Sequence, residues 1–165
     1  MVIGAVVLAC TAVWAGSSDK AASTKQLEKM KAEFAKCTVC KHMVPYLDQL
    51  GPSLKTDAAK LNDGVAIMHW VTDPTKVVVY RKASAEMSAA GGECMKLTDE
   101  QAAAQLCGFC QDIRSAAKAG ANMSTGETRN GDIMVLTSSD AAVQAKLTAL
   151  QQKCILMSGE AQASR

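Results

Sequence analysis

Aromatic side chains are scarce in this sequence of 165 residues. Only 4% of the residues are Phe, Trp or Tyr, although 48% are hydrophobic. The chain is long enough for one compact domain with a sizeable core, and that core must be built mainly from Ala, Val, Leu and Met. Such a core buries less apolar area per residue than an aromatic-rich one, so it would benefit from cross-links.

The sequence also lacks the charge clusters and short motifs that indicate several functions. Its net charge is +2 with the two signs mixed, and without a basic run interleaved with aromatics we predict no nucleic-acid binding. The lysines of the first predicted helix are offset by Glu28 and Glu33, which is typical of a solvated helix face. Because the sequence contains no glycine-rich phosphate loop, serine elbow or HExxH motif, we identify no active site and favour a non-enzymatic protein.

Residues 1–15 form an uncharged apolar run, and the sequence Gly-Ser-Ser-Asp follows it. Small residues near its end fit a signal-peptidase site after Ala15, and the missing basic start indicates that Met1 lies within a longer, truncated leader. The run is too short for a transmembrane helix, which needs about 20 residues. We expect a periplasmic or secreted protein with no membrane contact beyond the leader. Lipidation of Cys10 is the less favoured alternative, because the apolar run continues through Trp14.

Export changes how the cysteines are interpreted. Removal of the leader removes Cys10 and leaves an even number of cysteines, which favours disulfides in an oxidising compartment. Four of the six belong to two CxxC motifs. The six are Cys37, Cys40, Cys94, Cys107, Cys110 and Cys154.

The first CxxC lies in a stretch with helical spacing. Apolar residues recur every three or four positions from residue 27 to residue 50, which predicts one helix with both cysteines on its buried stripe. Ser23 and Gln26 resemble a capping box at its start. Pro45 predicts a kink, and Gly51-Pro52 predicts the end of the helix.

The elements that follow are a hairpin and a second helix. Asp63-Gly64 lies between two extended stretches and is typical of a hairpin with a type I′ turn, which needs positive φ at both central residues. Asp73 then predicts a helix N-cap, and Pro74 suits the first helical position. Gly91-Gly92 predicts the end of this helix.

The second half of the chain repeats this order. A capping box at Thr98 and Gln101 predicts the start of a helix that carries the second CxxC. Asn130-Gly131 predicts a hairpin, and Asp140 predicts the cap of the last helix. The blocks 63–73 and 130–140 align without a gap.

We therefore predict an α+β fold with two α-β-β-α repeats, at residues 16–96 and 97–165, related by a pseudo-twofold axis. Together they form one compact domain in which helices cover an antiparallel sheet. Duplicated units pack about such an axis by analogy with symmetric dimers, and the axis would bring the two CxxC helices face to face.

The two CxxC pairs are the predicted metal site. Cysteines three apart on a helix point the same way, and two such pairs can form a tetrahedral Cys₄ site for zinc. His42 and Met43, and Met68 beside His69, would suit copper equally well. We predict a non-enzymatic module that binds zinc or copper; the sequence does not identify a protein partner. The predicted ligands are Cys37, Cys40, Cys107 and Cys110.

Two other interpretations of the cysteines remain open. The first is a disulfide-stapled interaction or structural domain without metal, in which each cross-link adds about 2–4 kcal/mol. Its predicted pairs are Cys37 with Cys110, Cys40 with Cys107, and Cys94 with Cys154. The second is a thiol–disulfide oxidoreductase, which we rank third because a CxxC inside a helix loses the activation of a helix N-terminus. Neither motif is followed by the histidine that haem attachment requires.

Overall fold

The computed structural model describes residues 27–158, which form six helices and one four-stranded antiparallel sheet. The fold is therefore α+β, as predicted. The predicted leader, Cys10 and the cap at Ser23 lie outside the described residues. The elements in chain order are α1 (27–34), α2 (Val44–Leu50), β1 (Leu54–Lys60), β2 (Gly64–Val71), α3 (Val77–Cys94), α4 (Asp99–Gln105), α5 (Gly108–Lys118), β3 (Asn122–Glu127), β4 (Gly131–Thr137) and α6 (Ala141–Ser158).

The sheet consists of two hairpins placed side by side. The strand order is β1-β2-β4-β3, and every neighbouring pair is antiparallel. The central strands are β2, with Val65 and Ile67 fully buried, and β4, with Leu136 fully buried. The polar outer strands β1 and β3 have mostly exposed or half-buried side chains, so the apolar strands lie where burial is greatest.

The register of the sheet agrees with the predicted repeat. Equivalent residues of the two aligned blocks differ by 67 in number, so the pair Gly64–Thr137 corresponds to the pair Gly131–Trp70, and both pairs are present. The pairs 55–70 and 122–137 show the same relation between the hairpins. The local register is thus symmetric, while the pseudo-twofold relation of the complete halves stays a prediction.

Both predicted hairpins are present, but the predicted turn type is wrong. Among the described residues, only Gly51 and Gly120 have positive φ; Gly64 and Gly131 are instead the first residues of extended strands. A Cβ at Gly64 would overlap the carbonyl oxygen of Leu136 and lie 2.8 Å from Cα of Thr137, and Gly131 has an equivalent environment. Glycine is needed because β2 and β4 approach closely, not because a turn requires it.

The helix caps were predicted better than the helix interiors. Asp73 accepts a hydrogen bond from the Thr75 amide at 3.0 Å, and Asp140 accepts one from the Ala142 amide at 2.7 Å. The predicted continuous helix over 27–50 is wrong, because the chain leaves the helix at residue 35. Pro45 lies in the first turn of α2, where its missing amide hydrogen costs nothing, so it causes no kink.

The predicted stop at Gly91-Gly92 is also wrong, since α3 continues to Cys94. Each glycine costs an exposed helix only about 1 kcal/mol, which the packing of α3 outweighs. The same helix contributes to two of the three buried clusters described next.

The buried residues form three clusters on the helical side of the sheet. The sheet cluster joins α6 and α5 to β1, β2 and β4 around Ile67, Leu136 and Leu147. A second cluster joins α1, α2 and α3 around Leu47 and Tyr80. The third, which we call the cysteine cluster, contains the residues Cys37, Val39, Cys40, Ala102, Leu106 and Cys110. None of the helices within 27–158 is long and apolar enough to cross a membrane.

Candidate metal centre

The first CxxC lies in a turn between two helices. After α1, the Cys37 amide donates to the Phe34 carbonyl at 3.0 Å, and Cys40 begins a short 3₁₀ helix that leads into α2. Cys, Thr and Val all have weak helix propensity, and four such residues follow one another here. These residues do not extend α1, which ends at residue 34, and the turn directs both sulfurs inward.

The second CxxC lies at the N-terminus of α5. The helix α4 ends at Gln105, Leu106 is extended, and Cys107 is the N-cap of α5 with φ −67° and ψ 160°. Gln111 stabilises this break, because its side-chain amide donates to the Leu106 carbonyl at 2.8 Å. The prediction that Cys107 lies well inside one continuous helix is wrong, and so is the conclusion that it lacks the electrostatic benefit of a helix N-terminus.

A backbone hydrogen bond connects the two CxxC turns. The Thr38 amide, between Cys37 and Cys40, donates to the Gln105 carbonyl at 2.9 Å. This bond satisfies the end of α4 and sets the distance between turns that are far apart in sequence. Leu106 and Ala102 pack against the first turn in the cysteine cluster, so the two motifs share one small apolar core.

The four sulfurs converge on one point. Cys40 Sγ lies 3.7 Å from Cys107 Sγ and 3.5 Å from Cys110 Sγ, and all four Sγ atoms lie within 4.8 Å of one another. Four thiolates at 2.3 Å from a central zinc would be separated by about 3.8 Å in a regular tetrahedron. The sulfur positions are therefore compatible with a Cys₄ centre.

No protein-family model matches this chain, and neither a curated protein nor a solved structure is significantly similar to it. The function must therefore be inferred from the geometry and chemistry of the site.

The surroundings of the sulfurs favour deprotonation of one cysteine in each motif. A hydrogen bond with the Cys110 thiol lowers the pKa of Cys107, and one with Cys107 lowers the pKa of Cys37. The pKa values of Cys40 and Cys110 are raised, chiefly by their hydrogen bonds with Cys107. The Cys40 amide also donates to Cys37 Sγ at 3.5 Å, and such bonds stabilise negative charge on sulfur.

The predicted disulfides are not formed, since all six cysteines within residues 27–158 are free thiols. The sulfurs of Cys40 and Cys107, a predicted pair, are 3.7 Å apart, whereas a disulfide requires about 2.05 Å. The third predicted pair is separated by the packing, because Cys94 contacts the cysteine cluster while Cys154 belongs to the sheet cluster.

The histidines and methionines that suggested copper do not join the four sulfurs. Met43 is buried in the cluster around Leu47, where it fills space in the core. His69 Nδ1 lies 3.3 Å from Asp132 Oδ1 on the neighbouring strand. Among the described residues, the group that could hold a metal ion contains only cysteines.

A polar network on the helical side of the sheet was not predicted from the sequence. Asp132 accepts hydrogen bonds from Tyr80 at 2.7 Å and from Ser84 at 2.6 Å, both on α3. Burial opposes ionisation of this carboxyl, but the hydrogen bonds from His69, Ser84 and Tyr80 outweigh burial and lower its pKa. The available signal was an acidic residue at the start of an otherwise apolar strand. The network joins α3 to β4 and lies apart from the four sulfurs.

Proposed function

We propose that this protein is a non-enzymatic module that binds one soft metal ion through Cys37, Cys40, Cys107 and Cys110. The convergence of four sulfurs, all within 4.8 Å of one another, is the observation that carries the proposal. Thiolates select soft metals, and a tetrahedral set of four sulfurs suits zinc best among the two metals that the sequence suggested. Copper(I) is the second choice, because no histidine or methionine joins the sulfurs.

The metal has a structural role in this proposal. Four protein ligands complete the coordination of zinc, whereas a catalytic zinc keeps one position open for water or substrate. Cys37, Cys40 and Cys110 are 0%, 3% and 8% exposed, so that of the four only the half-buried Cys107 is accessible to solvent. The ion would join a turn from each half of the chain, and the free energy of metal binding would stabilise the fold.

The proposal includes export, which rests on the apolar run at residues 1–15. In an oxidising compartment, thiols in contact tend to form disulfides. A bound metal would hold the four sulfurs as metal thiolates and so would compete with that reaction. Anchoring through lipidated Cys10 remains the less favoured alternative.

Elemental analysis of the protein, purified without chelator under reducing conditions, tests the metal site. We expect one zinc ion per chain, and we expect Cys40→Ser or Cys107→Ser to abolish stoichiometric binding. Cys154→Ser is the matched control, because Cys154 is also buried but lies in the sheet cluster; this variant should retain the metal.

Cobalt substitution identifies the donor set. Cobalt(II) bound by four thiolates in a tetrahedron shows intense visible and thiolate charge-transfer bands. We expect this spectrum for the wild type and for Cys154→Ser. Absence of stoichiometric metal from the wild type, together with a spectrum lacking four-thiolate character, would exclude the Cys₄ centre.

One observation favours thiol–disulfide exchange as a second function. Cys107 is the N-cap of an 11-residue helix and is half-buried rather than fully buried, which is the setting of a reactive thiol. Reduction of a disulfide substrate by the metal-free protein, abolished by Cys107→Ser and retained by Cys94→Ser, would support this function. Equal, slow rates for all three proteins would exclude it.

A further inference from the structure

The sheet has a second face on which no described helix packs. Side chains alternate between the two faces of a strand, and the helical face carries Ile67, Val71 and Leu136. We call the opposite side the open face. Its residues on the three strands β1, β2 and β4 are Lys55, Asp57, Ala59, Ala66, Met68, Trp70, Gly131, Ile133 and Val135. None of them belongs to the three buried clusters of the described residues.

The centre of the open face is apolar. Met68 pairs with Ile133 and Ala66 pairs with Val135 across the two central strands, and Trp70 extends the patch along β2. Met68, Trp70, Ile133 and Val135 are partly exposed. In a chain with so few aromatic residues, a tryptophan on a contiguous apolar patch indicates an interaction surface.

We propose that the open face binds the open face of a second copy of this protein. The register of the sheet supports this occupant, because it places two complementary rows of side chains next to each other. One row contains Lys55, Trp70 and Gly131, and the other contains Asp57, Met68 and Ile133. The twofold axis lies in the plane between the two sheets and runs parallel to these rows, midway between them. It places each row of one copy opposite the other row of its partner.

In this dimer, each residue faces a complementary residue of the other copy. Lys55 of one copy lies opposite Asp57 of the other, so two ion pairs form by symmetry. Trp70 lies opposite Met68, a favourable sulfur–aromatic contact. Gly131, which has no side chain, leaves room for the branched side chain of Ile133. The two sheets would stack about 10 Å apart with their strands nearly aligned, as in a β-sandwich.

Reversal of the charge at Lys55 distinguishes this specific dimer from nonspecific association through the apolar patch. In sedimentation equilibrium of the full chain, with and without added zinc, we expect a dimer of the wild type. Lys55→Glu converts both symmetric ion pairs into repulsive pairs and should raise the dissociation constant about tenfold or more. The double variant Lys55→Glu/Asp57→Lys restores opposite charges and should return the constant to within about threefold of the wild type.

Lys60→Glu is the matched control, because Lys60 is exposed on the same strand but lies on the helical face. It should dimerise like the wild type, and circular dichroism should show that all variants are folded. Trp70→Ala should weaken the dimer by about tenfold or more. These measurements do not depend on the proposed metal function, which is tested separately by metal content.

Three results would overturn the proposal. The first is a wild type that remains monomeric at about 100 µM, and the second is a dimer that the Lys55→Glu and Trp70→Ala variants form equally well. The third is a monomer whose Trp70 fluorescence, measured in a Trp14→Phe background, is shielded from iodide. This last result would show that another part of the same chain covers the open face.

Discussion

At the scale of single residues, the proposed metal centre would make one unit of its four cysteines. Each sulfur contributes to a centre that requires all of them, so removing one removes most of the benefit of the others. We expect Cys40→Ser to lower the free energy of unfolding, measured by denaturant titration with zinc present, well beyond the roughly 0.5 kcal/mol of an ordinary surface change. Cys107→Ser should cost a similar amount, and the double variant only a little more.

A second cycle provides the control for this prediction. Cys154→Ser alters a buried thiol in the sheet cluster, so its cost should add to that of Cys40→Ser within about 0.5 kcal/mol. Strict additivity between Cys40→Ser and Cys107→Ser would contradict the observed convergence of the two motifs.

The glycines of the central strands lead to another residue-scale prediction. Gly64→Ala and Gly131→Ala each place a Cβ against a backbone carbonyl of the neighbouring strand, so each should destabilise the fold by about 2 kcal/mol or more. Gly92→Ala is the matched control, because that Cβ meets nothing within 4 Å; within a helix it should stabilise by about 0.5–1 kcal/mol. Equal effects at all three positions, measured by thermal unfolding, would refute the close approach of β2 and β4.

At the scale of elements, Arg114 of α5 stabilises the corner where α3 ends and α4 begins, next to the cysteine cluster. Its side chain is 6% exposed, its Nε donates to the Cys94 carbonyl at 3.2 Å, and its Nη1 bonds Asp99 at 2.7 Å. It also donates to the Leu97 carbonyl. One guanidinium thus joins the end of α3 to the start of α4, and a buried charge satisfied in this way is costly to remove.

This corner predicts a pH dependence of stability. Lys118, with Arg114, lowers the pKa of Asp99 to about 2 from an ordinary value of 3.8. A carboxyl whose pKa is lowered by folding stabilises the native state above its unfolded pKa, and this contribution is lost as the pH falls through its folded pKa. The wild type should therefore be more stable than Asp99→Asn above pH 4, and the difference should shrink as the pH falls and vanish only below about pH 2.

Comparison of the two proteins at each pH removes effects that they share, including release of the proposed metal in acid. Chemical unfolding at several pH values measures the difference. Lys118→Ala should reduce it, because Lys118 is the larger cause of the shift. A difference independent of pH would show that Asp99 does not stabilise the fold as a carboxylate.

At the scale of the whole molecule, the proposed metal site and the sheet belong to separate buried clusters. The cysteine cluster contains both CxxC turns, whereas the sheet cluster contains Ile67, Leu136 and Leu147 with α6. Regions of a protein open with different free energies when they lie in different packing units. Loss of the metal should therefore loosen one unit more than the other.

Amide hydrogen exchange with and without a zinc chelator tests this separation. We expect residues 36–43 and 105–111 to exchange faster after chelation, while the central strands β2 and β4 keep most of their protection. The variant Cys40→Ser should resemble the chelated wild type whether or not chelator is present. Uniform loss of protection over the whole chain would show that the fold is a single unit that depends on the metal.

The order of the elements, the two hairpins and the caps at Asp73, Thr98 and Asp140 were predictable from the sequence. These features depend on local chemistry, because a side chain that caps a helix binds amides two or three residues away. The matching order of hairpin and cap in the two blocks was predictable for the same reason, while the pseudo-twofold repeat of the complete halves stays a prediction. The choice of four cysteines as the candidate site came from their paired spacing alone.

Tertiary packing decided what these local signals left open. Helical spacing in the sequence continues through Cys37 and Cys107. The helices nevertheless end before both residues, because the turns gain contacts across the cysteine cluster, including the hydrogen bond from the Thr38 amide to the Gln105 carbonyl. The sequence around Gly64 is typical of a turn, yet glycine is required there because the backbone of β4 lies too close for a side chain. The convergence of the four thiols, and the fact that they are free, depend on residues about 70 positions apart. The distances between their sulfurs follow from the packing of the helices, which no local sequence pattern specifies.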